Sequence, residues 1–184
     1  YSCHLIRFDI ATRTFSTVNR SSVDLDPAGE FRNRAIHSHD YRYLYGIGCP
    51  GLEIIKYDLH KVENGTSVAD TSFVYNKASS GNSQSTNEAY ITAVMANNGC
   101  IYVTPYYANK ILKIDTMNGD ALSYIPIVSG SMVNFGLWSG RAFMTFGVAS
   151  GDGRYIFVGQ GHQGLYNGGN YLRLDTTDDS LLYR

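Results

Sequence analysis

Apolar residues come in short runs along the chain, bounded by Gly, Asn, Asp or Ser, and one arrangement recurs four times. Two apolar residues are followed by a basic residue, another apolar residue and an aspartate. The copies are Leu5-Ile6-Arg7-Phe8-Asp9, Ile54-Ile55-Lys56-Tyr57-Asp58, Ile111-Leu112-Lys113-Ile114-Asp115 and Tyr171-Leu172-Arg173-Leu174-Asp175. Their aspartates are 49, 57 and 60 residues apart. A second arrangement precedes the last three copies, a turn pair followed by an apolar strand. It reads Asp40-Tyr41 before Arg42-Tyr43-Leu44-Tyr45, Asn98-Gly99 before Cys100-Ile101-Tyr102-Val103, and Asp152-Gly153 before Arg154-Tyr155-Ile156-Phe157-Val158. The intervals between turns, 58 and 54, match the first set. Two patterns in register at one period mark a structural repeat.

Each period resolves into strands. Before the turn lies a stretch such as Ala89-Tyr90-Ile91-Thr92-Ala93-Val94-Met95, rich in strand formers and too short for a stable helix. Asn-Gly and Asp-Gly favour the positive φ angles of a tight hairpin. The strand after the turn leads through a loop to the strand ending in Asp, and polar residues turn the chain into an outer strand over 14–18, 71–75, 122–127 and 180–183. Four antiparallel strands per roughly 50 residues is the signature of a β-propeller blade. The predicted fold is therefore all-β, a propeller of about four blade repeats over 1–20, 31–76, 88–128 and 134–184. A β-sandwich is the alternative. The basic residue of the third strand is expected to face outward between apolar neighbours, and the terminal Asp to accept hydrogen bonds from the next turn. Four outer strand pairs occur against three inner pairs, so the chain reads as a segment of a larger propeller, with no helix longer than two turns.

The run from Gly99 through Thr116, with Ile101-Tyr102-Val103-Thr104 and Ile114-Asp115-Thr116 at its ends, resembles the YVTN-type propeller repeat. The hairpin Asp152-Gly153-Arg154-Tyr155 is similar to one shared with kelch- and lactonase-like propellers. The resemblance departs at Pro105, where the repeat usually has Asn, and in the long loops. It implies a propeller. Function is not implied, because such propellers include surface-layer proteins, binding modules and enzymes.

Charge and composition narrow the possibilities. With 15 basic and 16 acidic residues and a net charge of −1, the chain lacks the basic face a general nucleic-acid binder needs. No apolar run approaches the roughly 20 residues of a membrane helix, so no membrane insertion is expected. Charged residues make up only 17%, while Tyr (15) and Gly (19) abound, which suits short strands and tight turns. Two sequons, at Asn19 and Asn64, are possible N-glycosylation sites and tilt the reading toward an extracellular or particle-surface location. Cys3, Cys49 and Cys100 are expected to be buried thiols, with a Cys3–Cys49 bridge as the other option.

Candidate chemistry is sparse. Gly159-Gln160-Gly161-His162-Gln163-Gly164 matches a dinucleotide fingerprint, but the residues that follow cannot start the helix such a site requires. His37-Ser38-His39 puts two imidazoles on one side of a strand, half of a metal site with no identifiable remainder. Asp24, Asp26 and Glu30 lack EF-hand spacing, and no nucleophile elbow or phosphate loop occurs. Neither a metal nor a cofactor is expected. Tyr106, Tyr107, Trp138 and Tyr166 fall in loops or at strand ends, where flat amphipathic rings suit sugar stacking or protein contacts, and His162 lies among them. The leading expectation is a non-catalytic structural or adhesive protein, its partners being copies of itself, neighbouring subunits or glycans. The alternatives are a glycan- or protein-binding module, and a lactonase- or lyase-type enzyme with His162, His37 or His39 as base.

Overall fold

The computed structural model describes residues 5–20, 34–47, 53–59, 68–76, 90–105, 110–127, 144–160 and 171–183. Fourteen strands run through them. A two-stranded unit comprises β1 (Leu5–Asp9) and β2 (Thr14–Arg20). The next blade contains β3 (Arg34–His37), β4 (Tyr43–Ile47), β5 (Glu53–Asp58) and β6 (Val68–Asn76). The third has β7 (Tyr90–Met95), β8 (Cys100–Pro105), β9 (Lys110–Asp115) and β10 (Ala121–Pro126). The fourth has β11 (Met144–Ala149), β12 (Tyr155–Gln160), β13 (Tyr171–Asp175) and β14 (Leu181–Tyr183).

Within each blade, consecutive strands pair antiparallel. The β1–β2 unit joins the second blade through a short parallel pairing of Asn19 with Val68 and Arg20 with Ala69, giving a six-stranded sheet beside two four-stranded ones. β7 packs against both β3 and β11, so the first strands of successive blades lie side by side. The protein is a β-propeller, as its repeat predicts. Within 89–113, the stretch where a helix would have excluded that fold, the described residues form strands and a tight turn.

The third blade shows why the strands lack a polar face. Alternate side chains of a strand point to opposite faces of the sheet. Ile101, Val103, Leu112 and Ile114 turn toward the second blade and bury with Tyr45, Ile47, Ile54 and Tyr75. Val94, Cys100, Tyr102 and Ile111 turn toward the fourth blade and bury with Ile156, Val158, Leu172 and Leu174. Each fully buried aliphatic side chain contributes about 1.5–3 kcal/mol. Cys100, free and buried, is part of this packing, and burial pushes its thiol pKa up. Cys3 and Cys49 lie outside the described residues.

The basic residue of the third strand corrects the sequence expectation, because it crosses to the next blade. Lys56 Nζ donates to Asp120 Oδ2 at 2.6 Å, and Tyr45 Oη donates to Asp120 Oδ1 at 2.6 Å. One blade on, Lys113 Nζ reaches Asp179 Oδ2 at 2.7 Å and Tyr102 Oη reaches Asp179 Oδ1 at 3.1 Å. The cation and the phenol stand opposite each other on neighbouring strands (Tyr45 with Lys56, Tyr102 with Lys113). Both acceptors have left-handed backbone, φ 64° at Asp120 and 58° at Asp179, in the turn leading to the outermost strand. Asp tolerates that conformation better than most residues. A charge could not stay unpaired between two apolar sheets, so the neighbouring blade supplies its partner. The terminal aspartates do cap their turns as expected: Asp9 accepts from the Thr12 amide, Asp115 from the Met117 amide and Asp175 from the Thr177 amide.

Two substitutions test these supports. Asp120→Asn keeps the left-handed backbone but removes the carboxylate shared by Tyr45 and Lys56, and should destabilise by about 1–3 kcal/mol in urea titration. Gly153 has φ 69°, and a Cβ there would lie 2.2 Å from Asn97 Cγ. Gly153→Ala should therefore cost about 1–3 kcal/mol, while Gly151→Ala, which meets nothing within 4 Å, should leave the midpoint unchanged or raised.

Candidate functional site

The antiparallel register gives the blades two chemically different ends. At one end lie the tight turns 38–42, 96–99 and 150–154, together with the connections from third to fourth strand. At the other end β4, β8 and β12 finish and β5, β9 and β13 begin, and there each blade's last strand leaves for the next blade's first. The connectors 48–52, 106–109, 128–143 and 161–170 all attach at this second end.

The described tight turns satisfy their own polar groups. Ser150 Oγ donates to Asp152 Oδ1 and accepts from the Tyr155 amide, while the Arg154 amide donates to Asp152. The Arg154 side chain then grips Asp175 through Nε at 3.1 Å and Nη2 at 2.9 Å. The second blade repeats this set with Ser38, Asp40, Tyr43, Arg42 and Asp58. The third blade has Ala96, Asn98 and Cys100 at the corresponding positions, and its Asn98 keeps the turn bond to the Cys100 amide at 3.0 Å. Neighbouring blades are also stitched here, by Asn98 Nδ2 to the Thr176 carbonyl and Asn97 Nδ2 to the Asp152 carbonyl. The sequence signal for the turn is Ser-x-Asp-x-Arg, at 38–42 and 150–154, which is longer than the Asp-Tyr or Asp-Gly pair alone.

The histidine pair also sits at this end. His37 is the last residue of β3, half-buried, and stacks on the Tyr41 ring at 4.3 Å. His39 belongs to the turn and is exposed, which corrects the expectation of two imidazoles on one strand face. Tyr41 likewise lies in the turn, with φ 59°, whereas Tyr43 and Tyr45 share one face of β4, with the Lys56 ammonium 3.8 Å and 5.6 Å from their ring centres. Among the described residues no cluster of His, Cys, Asp and Glu could hold a metal.

Tyr106, Tyr107, Trp138, His162 and Tyr166 fall within connectors attached at the opposite end and lie outside the described residues; Asp24, Asp26, Glu30 and Asn64 also lie outside them. Asn19 lies in β2. The strands that flank the His162 connector, β12 and β13, meet it at the end of the blade opposite the turns that join them to their neighbours, β11 and β14.

Fold and register together define a β-propeller. A virginiamycin B lyase from Staphylococcus aureus superposes with a TM-score of 0.65 at 8% identity, over 98% of this chain and 48% of that one. The extracellular domain of BT4673 from B. thetaiotaomicron gives 0.63 at 18%, over 97% and 21%. The periplasmic gluconolactonase of Pseudomonas aeruginosa gives 0.58 at 13%, over 97% and 47%. The chain thus spans less than half the length of each. No family model and no curated protein matches the sequence. At such identities the likeness is one of fold. It nonetheless overturns the expectation of a non-enzymatic protein, which rested on few charges and many tyrosines, because named lyases and gluconolactonases share this architecture. The structure explains the composition differently: Tyr45, Tyr75 and Tyr102 are at most 2% exposed, so they serve blade packing rather than an assembly surface.

The tight-turn end should set the acid limit of stability. The Arg154 guanidinium, then the Thr177 hydroxyl and amide, hold the Asp175 carboxyl well below its usual range. Hydrogen bonds from Ser38 and Ser150 do the same for Asp40 and Asp152. A depressed carboxylate pKa contributes stability above the ordinary value of 3.8 that is lost as pH falls through the folded value. The urea midpoint should hold between about pH 7 and 5 and decline below about pH 4, and Asp175→Asn should flatten that decline.

Proposed function

We propose that this propeller belongs to a ring-opening enzyme of lactonase or lyase type, with its reaction site at the end of the blades where the long connectors attach. One observation carries the reading: the register assigns the connectors bearing Tyr106, Tyr107, Trp138, His162 and Tyr166 to a single end. That end lies opposite the one whose polar groups are already committed to turns. The likeness to lyases and gluconolactonases supports the same conclusion. In this reading the aromatic rings hold a cyclic substrate by stacking, and His162 is the base. For a lactone, His162 takes a proton from water as that water attacks the carbonyl, the acyl carbon–ring oxygen bond breaks, and the protonated His162 returns its proton to the departing ring oxygen. For a lyase, it takes the proton next to the bond that breaks by elimination.

A second reading, a ligand-binding domain, is favoured by the likeness to the BT4673 extracellular domain over 97% of the chain. Names that place two of the similar proteins in extracellular and periplasmic space support a location outside the cytoplasm, where Asn19 and Asn64 could carry glycans. Glycans or proteins are then the partners of the connector end.

Gluconolactones and streptogramin B, assayed with and without added divalent metal, separate the readings. Turnover that His162→Ala lowers at least 100-fold, with an unchanged melting temperature, is the expected result. No turnover, together with a sugar-dependent rise in melting temperature, would replace the enzyme reading with the binding one.

A further inference from the structure

The two interfaces between blades share one register, and that register extends to a face that no described blade covers. In the second blade, the side facing the third carries Ile36, Tyr43, Tyr45, Ile54 and Lys56. In the third blade, the side facing the fourth carries Val94, Cys100, Tyr102, Ile111 and Lys113. Strand pairing assigns the matching positions of the fourth blade to Val148, Tyr155, Phe157, Tyr171 and Arg173, with Phe157 opposite Arg173 as Tyr102 is opposite Lys113. These residues keep the apolar and aromatic character of the face and its central cation. Val94 is 6% exposed, whereas its counterpart Val148 is 59% exposed; Ile111 is 1% exposed, whereas Tyr171 is 40% exposed. The Arg173 guanidinium rests 4.7 Å from the centre of the Tyr155 ring, and no carboxylate among the described residues pairs with it.

The receiving half of the interface is equally specific. Lys56 and Lys113 are met by Asp120 and Asp179, each with left-handed backbone in the turn before an outermost strand. In the β1–β2 unit that position is held by Arg13, with φ 55°. The same side of this unit is uncovered, with Phe8 49% and Phe15 74% exposed. If the fourth blade docked there, within one chain or between two copies, Arg173 would meet Arg13.

We propose that the Val148–Tyr155–Phe157–Tyr171–Arg173 face is a blade-docking surface whose partner is a separate blade carrying an Asp or Glu at the left-handed residue before its outermost strand. The β1–β2 unit, of this chain or of a second copy, is not that partner. Continuity of register with two existing interfaces supplies the shape, and Arg173 supplies the charge requirement. The like charge at Arg13 is a repulsive element that keeps these two faces of the chain from joining. The inference stands apart from the enzymatic reading, since it concerns blade interfaces and not the connector end.

Residues 13 and 173 form a charge cycle that tests it. Sedimentation equilibrium should show Arg13→Asp associating with a dissociation constant at least tenfold below that of the unaltered chain. Arg173→Asp should associate similarly, because it now faces Arg13. The double variant, with Asp against Asp, should return to the level of the unaltered chain. A stability measurement guards against folding artefacts: Arg173→Gln should leave the melting temperature within about 1 °C, while Lys113→Gln should lower it by several degrees. The proposal is overturned if all four charge combinations associate alike, if the unaltered chain associates through these faces as tightly as Arg13→Asp, or if Arg173→Gln destabilises as much as Lys113→Gln.

Discussion

The third blade of this protein is apolar on both faces, and each face is buried against a neighbouring blade. That constraint shapes the rest of the structure. It accounts for the continuous apolar runs of β8 and β9, where Ile101, Val103, Leu112 and Ile114 face one neighbour while Tyr102 and Ile111 face the other. It also explains how a lysine can sit in the middle of such a strand. Lys56 and Lys113 are tolerated because an aspartate of the adjoining blade is held within 2.7 Å by a turn of fixed geometry. Apolar contact alone would let sheets slide over one another, since dispersion and burial are non-directional. The shared carboxylate, accepting from a phenol and an ammonium at once, pins the register.

The two ends of the blades use their polar groups differently. At the tight-turn end, serine, aspartate and arginine consume one another's hydrogen-bonding capacity, and Asn97 and Asn98 carry the network from blade to blade. Groups so committed have little left to offer a ligand. The connectors bearing Tyr106, Tyr107, Trp138, His162 and Tyr166 attach at the other end, on a scaffold whose third-blade strands are packed on both sides. This arrangement, with rigid sheets beneath variable connectors, lets one architecture serve unrelated chemistries. The similar solved structures illustrate it, since lyases, gluconolactonases and an extracellular domain share the fold at identities of 8–18%.

Much of this could be read along the chain. The fourfold Leu/Ile-basic-apolar-Asp pattern and the three turn pairs determined the strands, their antiparallel order and the blade as the repeating unit, because strand alternation and tight turns are local properties of a few adjacent residues. The capping role of Asp9, Asp115 and Asp175 was legible for the same reason. What joins one blade to the next was not. Tyr45 and Asp120 are 75 residues apart, and Lys56 and Asp120 are 64 apart, so their meeting depends on how whole sheets stack. The recurrence of those separations at 77 and 66 residues for Tyr102, Lys113 and Asp179 is a signal in the sequence, but it becomes readable only once the partners are known. The tertiary structure likewise decided that His37 and His39 lie at the opposite end of the blades from the connector bearing His162. Nothing in their sequence spacing contains that fact, because the end of a sheet a residue occupies is set by strand direction and pairing.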